Sequence, residues 1–112
     1  MSQVTTHILD TTLGKPAKGV TTILCQEEND SWKEIARGVT NQNGRISDLL
    51  STDVILPLGT YKMKFETKPY FEQLSVPTFY PLIEIIFTIA SAEHYHVPLL
   101  LNPFGYSTYR GS

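Results

Sequence analysis

Three histidines, one arginine and a cationic, aromatic C-terminal stretch are the residues of this chain whose types and spacing could do chemistry. His94 and His96 stand two apart in His94-Tyr95-His96-Val97-Pro98-Leu99-Leu100-Leu101, and in an extended strand residues two apart face the same way. His7 lies in Thr5-Thr6-His7-Ile8-Leu9-Asp10, on one strand face with Thr5 and Leu9. Arg45 follows Asn43-Gly44, and the sequence closes on Tyr106-Ser107-Thr108-Tyr109-Arg110-Gly111-Ser112. Terminal segments usually fray into polar residues. This one stays aromatic, small and cationic, so it reads as tied down. An unperturbed imidazole titrates near ~6.5 and can take a proton from water at neutral pH. An arginine stays cationic and holds planar carbonyl or anionic oxygens through its forked donors.

Each residue also has a plainer reading. Alone, His7 is a strand histidine, solvated or satisfied in a core; Arg45 is a surface arginine; His94 and His96 are an exposed pair. His-x-His on a strand plus a third histidine is also a plausible zinc set, although no carboxylate is evident to orient the imidazoles. Other chemistries are missing from the sequence. It has no Gly-x-Ser-x-Gly elbow, no phosphate-binding glycine loop and no cysteine pair for zinc. Its Asp and Glu residues suggest no carboxylate dyad. Cys25, amid apolar strand residues, reads as buried filler, and Trp32 as packing.

The elements that must position these groups are strands. Short runs of period-2 alternation, broken by turn residues every eight to twelve positions, argue for a β-sandwich or barrel. Tyr61, Met63 and Phe65 alternate with Lys62, Lys64 and Glu66, a half-buried strand. Ile83, Ile85, Phe87 and Ile89 alternate with Glu84, Ile86 and Thr88, which predicts a more deeply buried one. Further strands are predicted over Val4 to Asp10, Val20 to Glu28 and Trp32 to Val39, the last two joined as a hairpin through Asn29-Asp30-Ser31. Asn43-Gly44 marks a tight turn. Thr67-Lys68-Pro69-Tyr70-Phe71-Glu72-Gln73-Leu74 predicts the one short helix, with Thr67 as a cap and Pro69 early, stopping before Pro77.

Composition bounds the function classes. At 112 residues the chain is expected to be one domain over 1–112, long enough to bury roughly two-thirds of its unfolded surface. Hydrophobic residues are 41% and charged residues 18% of it, a soluble globular balance. Net charge is −2 with nine scattered Lys and Arg; no basic stripe points to nucleic acid. No run approaches the ~20 apolar residues of a membrane span. A lone cysteine without secretion signals makes the cytoplasm the expected location.

Taken together, these residues resemble the transthyretin-like 5-hydroxyisourate hydrolases of urate degradation. The resemblance rests on Thr6-His7-Ile8-Leu9-Asp10, Gly14-Lys15-Pro16-Ala17, Thr40-Asn41-Gln42-Asn43-Gly44-Arg45, Gly59-Thr60-Tyr61-Lys62, His94-Tyr95-His96-Val97-Pro98-Leu99-Leu100 and the terminal Tyr109-Arg110-Gly111-Ser112. It covers nearly the whole chain. The terminal tetrapeptide is its specific part, since hormone-carrying transthyretins share the fold but not that tail. The resemblance implies an all-β, transthyretin-like (prealbumin-like) two-sheet β-sandwich with one short helix, assembled as a homotetramer, a dimer of dimers with clefts where the dimers meet. It implies hydrolysis of 5-hydroxyisourate to 2-oxo-4-hydroxy-4-carboxy-5-ureidoimidazoline, with no cofactor and no metal. His7, Arg45 and His96 are the expected catalytic residues. His7, Arg45, Tyr109, Arg110 and Ser112 are the expected substrate contacts, with His94 in support. Such a reaction needs an activated water and somewhere for oxyanion charge to go, and imidazoles beside an arginine supply both. The competing expectations are a transthyretin-like carrier of a small aromatic ligand and a His-ligated zinc hydrolase.

Overall fold

The computed structural model describes residues 1–112. Nine strands and one helix follow in the order β1 (Val4–Asp10), β2 (Lys15–Pro16), β3 (Thr21–Glu28), β4 (Ser31–Val39), β5 (Arg45–Ile46), β6 (Gly59–Glu66), α1 (Thr67–Gln73), β7 (Ile83–Ile89), β8 (Tyr95–Asn102) and β9 (Gly105–Thr108). They build two sheets. One runs β2-β1-β8-β9 with β5 also on β1, and the other runs β4-β3-β6-β7. The first contains the molecule's single parallel pairing, β1 with β8; the second is antiparallel throughout.

Alternation decides what the sandwich buries. Val4 and Ile8 on β1, Leu24 on β3, Tyr61, Met63 and Phe65 on β6, and Leu99 and Leu101 on β8 all point inward and are closed to solvent. Fully burying each large apolar side chain is worth roughly 1.5–3 kcal/mol, so this inner layer fixes which face of each strand remains outside. The β3–β4 hairpin turns through Asn29 and Asp30 at φ 52° and 64°. Asn and Asp tolerate these positive values better than other side chains, and the pair gives a two-residue turn whose twist matches the strands.

Two local expectations need correction. Thr67 is the first helical residue rather than a cap: β6 runs straight into α1, Glu66 is the half-in residue, and no side chain caps the helix. The freed Lys68 N–H donates to the Pro81 carbonyl instead. The helix then closes on Ser75 at φ 59°, with Ser75 and Val76 N–H donating to the Glu72 and Phe71 carbonyls, the bond pattern of a Schellman stop. The other correction concerns β7, predicted to be deeply buried. It is an edge strand with β6 as its only neighbour, and Ile86 is 61% exposed. Its apolar alternation covers the core at Ile83 and Ile89 but leaves the outer side uncovered. No helix is long and apolar enough to cross a membrane.

Candidate active site on the outer face of the five-stranded sheet

With Val4, Thr6 and Ile8 inward on β1, strand geometry turns Thr5 and His7 to the outside. The parallel register sets Thr5 beside His96 and His7 beside Pro98. The antiparallel β1–β5 register sets His7 opposite Arg45. Three strands distant in sequence thus bring His7, Arg45 and His96 onto one face.

Each group is held locally. Arg45 leaves a turn organised by Asn41, whose Oδ1 accepts the N–H groups of Asn43 at 2.9 Å and Arg45 at 3.1 Å. Gly44 in that turn has φ +72°, and an added Cβ there would collide with the Ile8 carbonyl oxygen, so the turn lies flat on β1. His94 emerges from a turn clamped on two sides. The Gln3 amide donates to the Glu93 carbonyl at 3.3 Å, and the Tyr95 hydroxyl accepts the Ala90 N–H at 2.9 Å. Thr5 Oγ1 reaches His94 Nε2 at 2.8 Å and His96 Nδ1 at 2.7 Å. The two imidazoles lie stacked at 6.2 Å with a 24° interplanar angle.

The terminal stretch is tied down. Beyond β9, Gly111 bridges back onto β8, its N–H donating to the His96 carbonyl at 2.9 Å. A Cβ at Gly111 would stand 2.5 Å from His96 Cδ2, so only glycine lets the backbone lie against that ring. The bridge delivers Ser112 to a recess of about 270 Å³ that Arg45, Thr5, Thr6, His94 and His96 also line. Tyr109 and Arg110 lie on the other side of His96, in an apolar cavity of about 330 Å³ against β7. Arg110 is engaged within its own chain: it pairs with Glu93 and lies 4.6 Å over the Tyr95 ring. The structure therefore gathers Arg45, His96, His94 and Ser112, places His7 next to Arg45 on the same face, and sets Tyr109 and Arg110 apart. Thr5 carries no local signal that singles it out; only the β1–β8 register makes it the hub of the two histidines.

Electrostatics favour neutral imidazoles. Burial first, then the Arg45 cation, hold His7 below the ordinary histidine pKa, partly offset by the nearby Asn43 backbone. Burial lowers His96 in the same sense, followed by Arg45, His94 and His7. Arg45 itself has no ion-pair partner. The face can therefore accept a proton and stabilise an anion at neutral pH. Nowhere do His, Cys, Asp and Glu gather in threes at metal-binding distance, and the nitrogens of His94 and His96 that face each other are both taken by the Thr5 hydroxyl.

A family model described as the HIUase/Transthyretin family matches residues 4–111. The chain is 48% identical over 107 residues to a 5-hydroxyisourate hydrolase of Salmonella typhimurium, covering 95% of this chain and 78% of that protein. It is 44% identical over 114 residues to a 5-hydroxyisourate hydrolase of Mus musculus, covering 99% and 96%. Among solved structures, Klebsiella pneumoniae 5-hydroxyisourate hydrolase superposes with a TM-score of 0.86 at 38% identity, covering 97% of this chain and 98% of that one. Sea bream transthyretin in complex with thyroxine superposes with a TM-score of 0.91 at 33% identity, covering 98% and 95%. The backbone is thus like both a hydrolase and a thyroxine-binding protein, and side chains must separate the two.

Proposed function

The chain belongs to the HIUase/transthyretin family, and from that premise we propose that it hydrolyses 5-hydroxyisourate, water opening the cyclic amide to give 2-oxo-4-hydroxy-4-carboxy-5-ureidoimidazoline. The relatives named for that activity support the reaction. The observation that carries it to particular residues is the shared face: two imidazoles with lowered pKa beside an arginine that has no carboxylate partner. In this mechanism His7 is the base. Burial and the Arg45 cation keep its ring neutral, and a neutral imidazole carries a lone pair on one nitrogen. His7 takes a proton from water as the water oxygen attacks the lactam carbonyl carbon. The Arg45 fork holds the oxygen on which negative charge develops. Collapse of the tetrahedral intermediate breaks the C–N bond, and the leaving nitrogen takes the proton that His7 removed from water, which returns His7 to its neutral form, while His96 hydrogen-bonds the heterocycle. Ser112 orients the heterocycle from the recess edge.

A carrier of a bulky aromatic ligand suits this face poorly. Ligand pockets for drug-sized molecules run to ~300–1,000 Å³ with mostly apolar walls, whereas this recess is about 270 Å³ and only two of its nine lining residues are hydrophobic. The zinc reading is disfavoured by the donor set, which offers no three-ligand cluster.

The working form in this proposal is a homotetramer. Both β7 and β9 are unpaired sheet edges, and they flank the cavity lined by Ile85, Ile86, Phe87 and Tyr109. Exposed apolar edges are natural templates for pairing with another chain, which would bring Tyr109 and Arg110 to a subunit boundary. A single buried free thiol suits a reducing compartment, and the cytoplasm is the proposed location. The reaction is tested by ultraviolet decay of freshly generated 5-hydroxyisourate: the protein should accelerate it well beyond the spontaneous rate, and an unchanged decay with folded protein would overturn the assignment.

A further inference from the structure

The Thr5 hydroxyl stands between two imidazoles with one hydrogen to give. Its oxygen lies 2.8 Å from His94 Nε2 and 2.7 Å from His96 Nδ1, and the residue is 5% exposed, so water cannot readily complete its bonding. Accepting from both rings would leave its own hydrogen without an acceptor, which is costly for a buried group. Two arrangements satisfy all three groups. In one, Thr5 donates to His94 and accepts from His96 Nδ1–H, so His96 Nε2 carries a lone pair. In the other, His94 Nε2–H donates to Thr5 and Thr5 donates to His96 Nδ1, so His96 Nε2 carries the hydrogen. A protonated His94 has hydrogens on both nitrogens and permits only the second.

We infer that Thr5 is a positioning residue that couples the proton on His94 to the tautomer of His96, holding His96 with Nε2–H available to substrate when His94 is charged. The inference rests on the assignment of His96 as a hydrogen-bonding partner of the substrate ring. It gives His94, which stands off from Arg45 and His7 in sequence and register, a task without substrate contact. The geometry is built to last. Parallel pairing fixes Thr5 beside His96, Gly111 packs against the His96 ring, and Gln3 secures the turn that presents His94. The charged and titratable groups around the pair are the Met1 amino group, His7 on β1, Arg45 on β5, and the Glu93–Arg110 ion pair and Tyr109 on the turn and tail. Burial first, then Arg45, His94 and His7, disfavour a charge on His96. Thr5 passes the state of His94 to His96 as a tautomer rather than as a proton.

Imidazole nitrogen shifts of ¹⁵N-labelled protein, followed as the pH is lowered, test this directly in wild type, Thr5→Val and Thr5→Ser. In wild type, His96 Nε2 should move to the N–H form as His94 gains its proton. Thr5→Ser keeps the hydroxyl and should keep the coupling. Thr5→Val keeps the shape and removes the hydroxyl; His96 should then hold one tautomer mixture while His94 titrates, and kcat should fall by about tenfold with KM little changed, the scale of partners that orient a functional imidazole. A His96 tautomer that follows His94 equally in Thr5→Val would overturn the inference, as would one that ignores His94 in wild type. If Thr5→Val disturbs the backbone amide spectrum, Thr5→Ser and the wild-type titration still decide it. Failure of the hydrolase assignment looks different: the wild-type protein would leave 5-hydroxyisourate decay at its spontaneous rate, while the nitrogen shifts would be unaffected by that result.

Discussion

The sandwich has two outer faces, and they handle charge in opposite ways. On the four-stranded sheet, Lys62 Nζ sits 2.9 Å from Glu84 and 4.5 Å over the Trp32 ring, and Arg37 grips Glu34 with two bonds of 2.7 Å. Those cations are met by acids of their own chain. On the five-stranded sheet, Arg45 has no acidic partner, and the charge that acts on His7 and His96 is the Arg45 cation rather than an acid. A face that pairs its own charges is finished as a surface. One that leaves an arginine fork and two neutral imidazoles uncommitted retains the capacity to bind an anion and move a proton. The folding pattern is the same on both; the difference lies in which side chains the strands turn outward.

The largest contrast should come from removing those uncommitted groups. Arg45→Ala should lower kcat/KM by roughly 10²-fold or more, the scale of a lost electrostatic stabiliser, whereas Lys62→Ala on the opposite face should leave it unchanged in the same ultraviolet assay. Comparable losses from the two substitutions would erase the distinction between the faces. A smaller effect, between ~10- and ~10²-fold, is expected from Gly111→Ala, because a displaced reacting group costs on that order. The added methyl must push the His96 ring while leaving β9 paired with β8. Circular dichroism should be unchanged while turnover falls; full turnover would mean the tail does not set the ring.

The pH profile sharpens the comparison further. Because burial and Arg45 lower the pKa of His7 and His96, both are neutral at pH 7, and the acid limb of kcat/KM should have its midpoint below the ordinary ~6.5. Arg45→Gln removes a cation that opposes protonation, so its residual activity should show that midpoint moved to higher pH. A wild-type midpoint at or above ~6.5 would contradict the electrostatics. The sign for stability is the same: the unfolded chain takes up these protons at higher pH than the folded one, so stability is complete above ~6.5 and declines as pH falls toward the folded values. The smallest effect belongs to the opposite face. Glu34→Gln breaks a fully exposed ion pair, and such pairs contribute little; melting temperature and turnover should both stay at wild-type values.

Much of the scaffold was legible in residue patterns, and the reasons it stopped are specific. Val4–Asp10 and the inward row Tyr61, Met63, Phe65 follow from period-2 alternation, because burial acts on every second residue. The depth of β7 does not, because alternation reports two unlike faces and says nothing of whether a strand has one neighbour or two. His7, His94 and His96 could be assigned to strand faces, yet their meeting depends on the β1–β8 register between residues some ninety positions apart. That register makes Thr5 a hub, and no local signal distinguishes Thr5 from Thr6, which instead donates to the Val97 carbonyl. Arg110 likewise looked free to meet a substrate; its engagement with Glu93 and Tyr95 depends on where the tail crosses the 90–94 turn.

In the proposed reaction, His7 and His96 act as one unit on the outer face of the five-stranded sheet. A double-mutant cycle on freshly generated 5-hydroxyisourate tests it most directly, with assembly checked by sedimentation on the same samples. His7→Ala and His96→Ala should each reduce kcat/KM by roughly 10²-fold, and the double variant should be little worse than either alone, as for residues that serve a single step together. Losses that multiply to ~10⁴-fold would show two independent contributions, and a near-wild-type rate in either single variant would contradict the account outright.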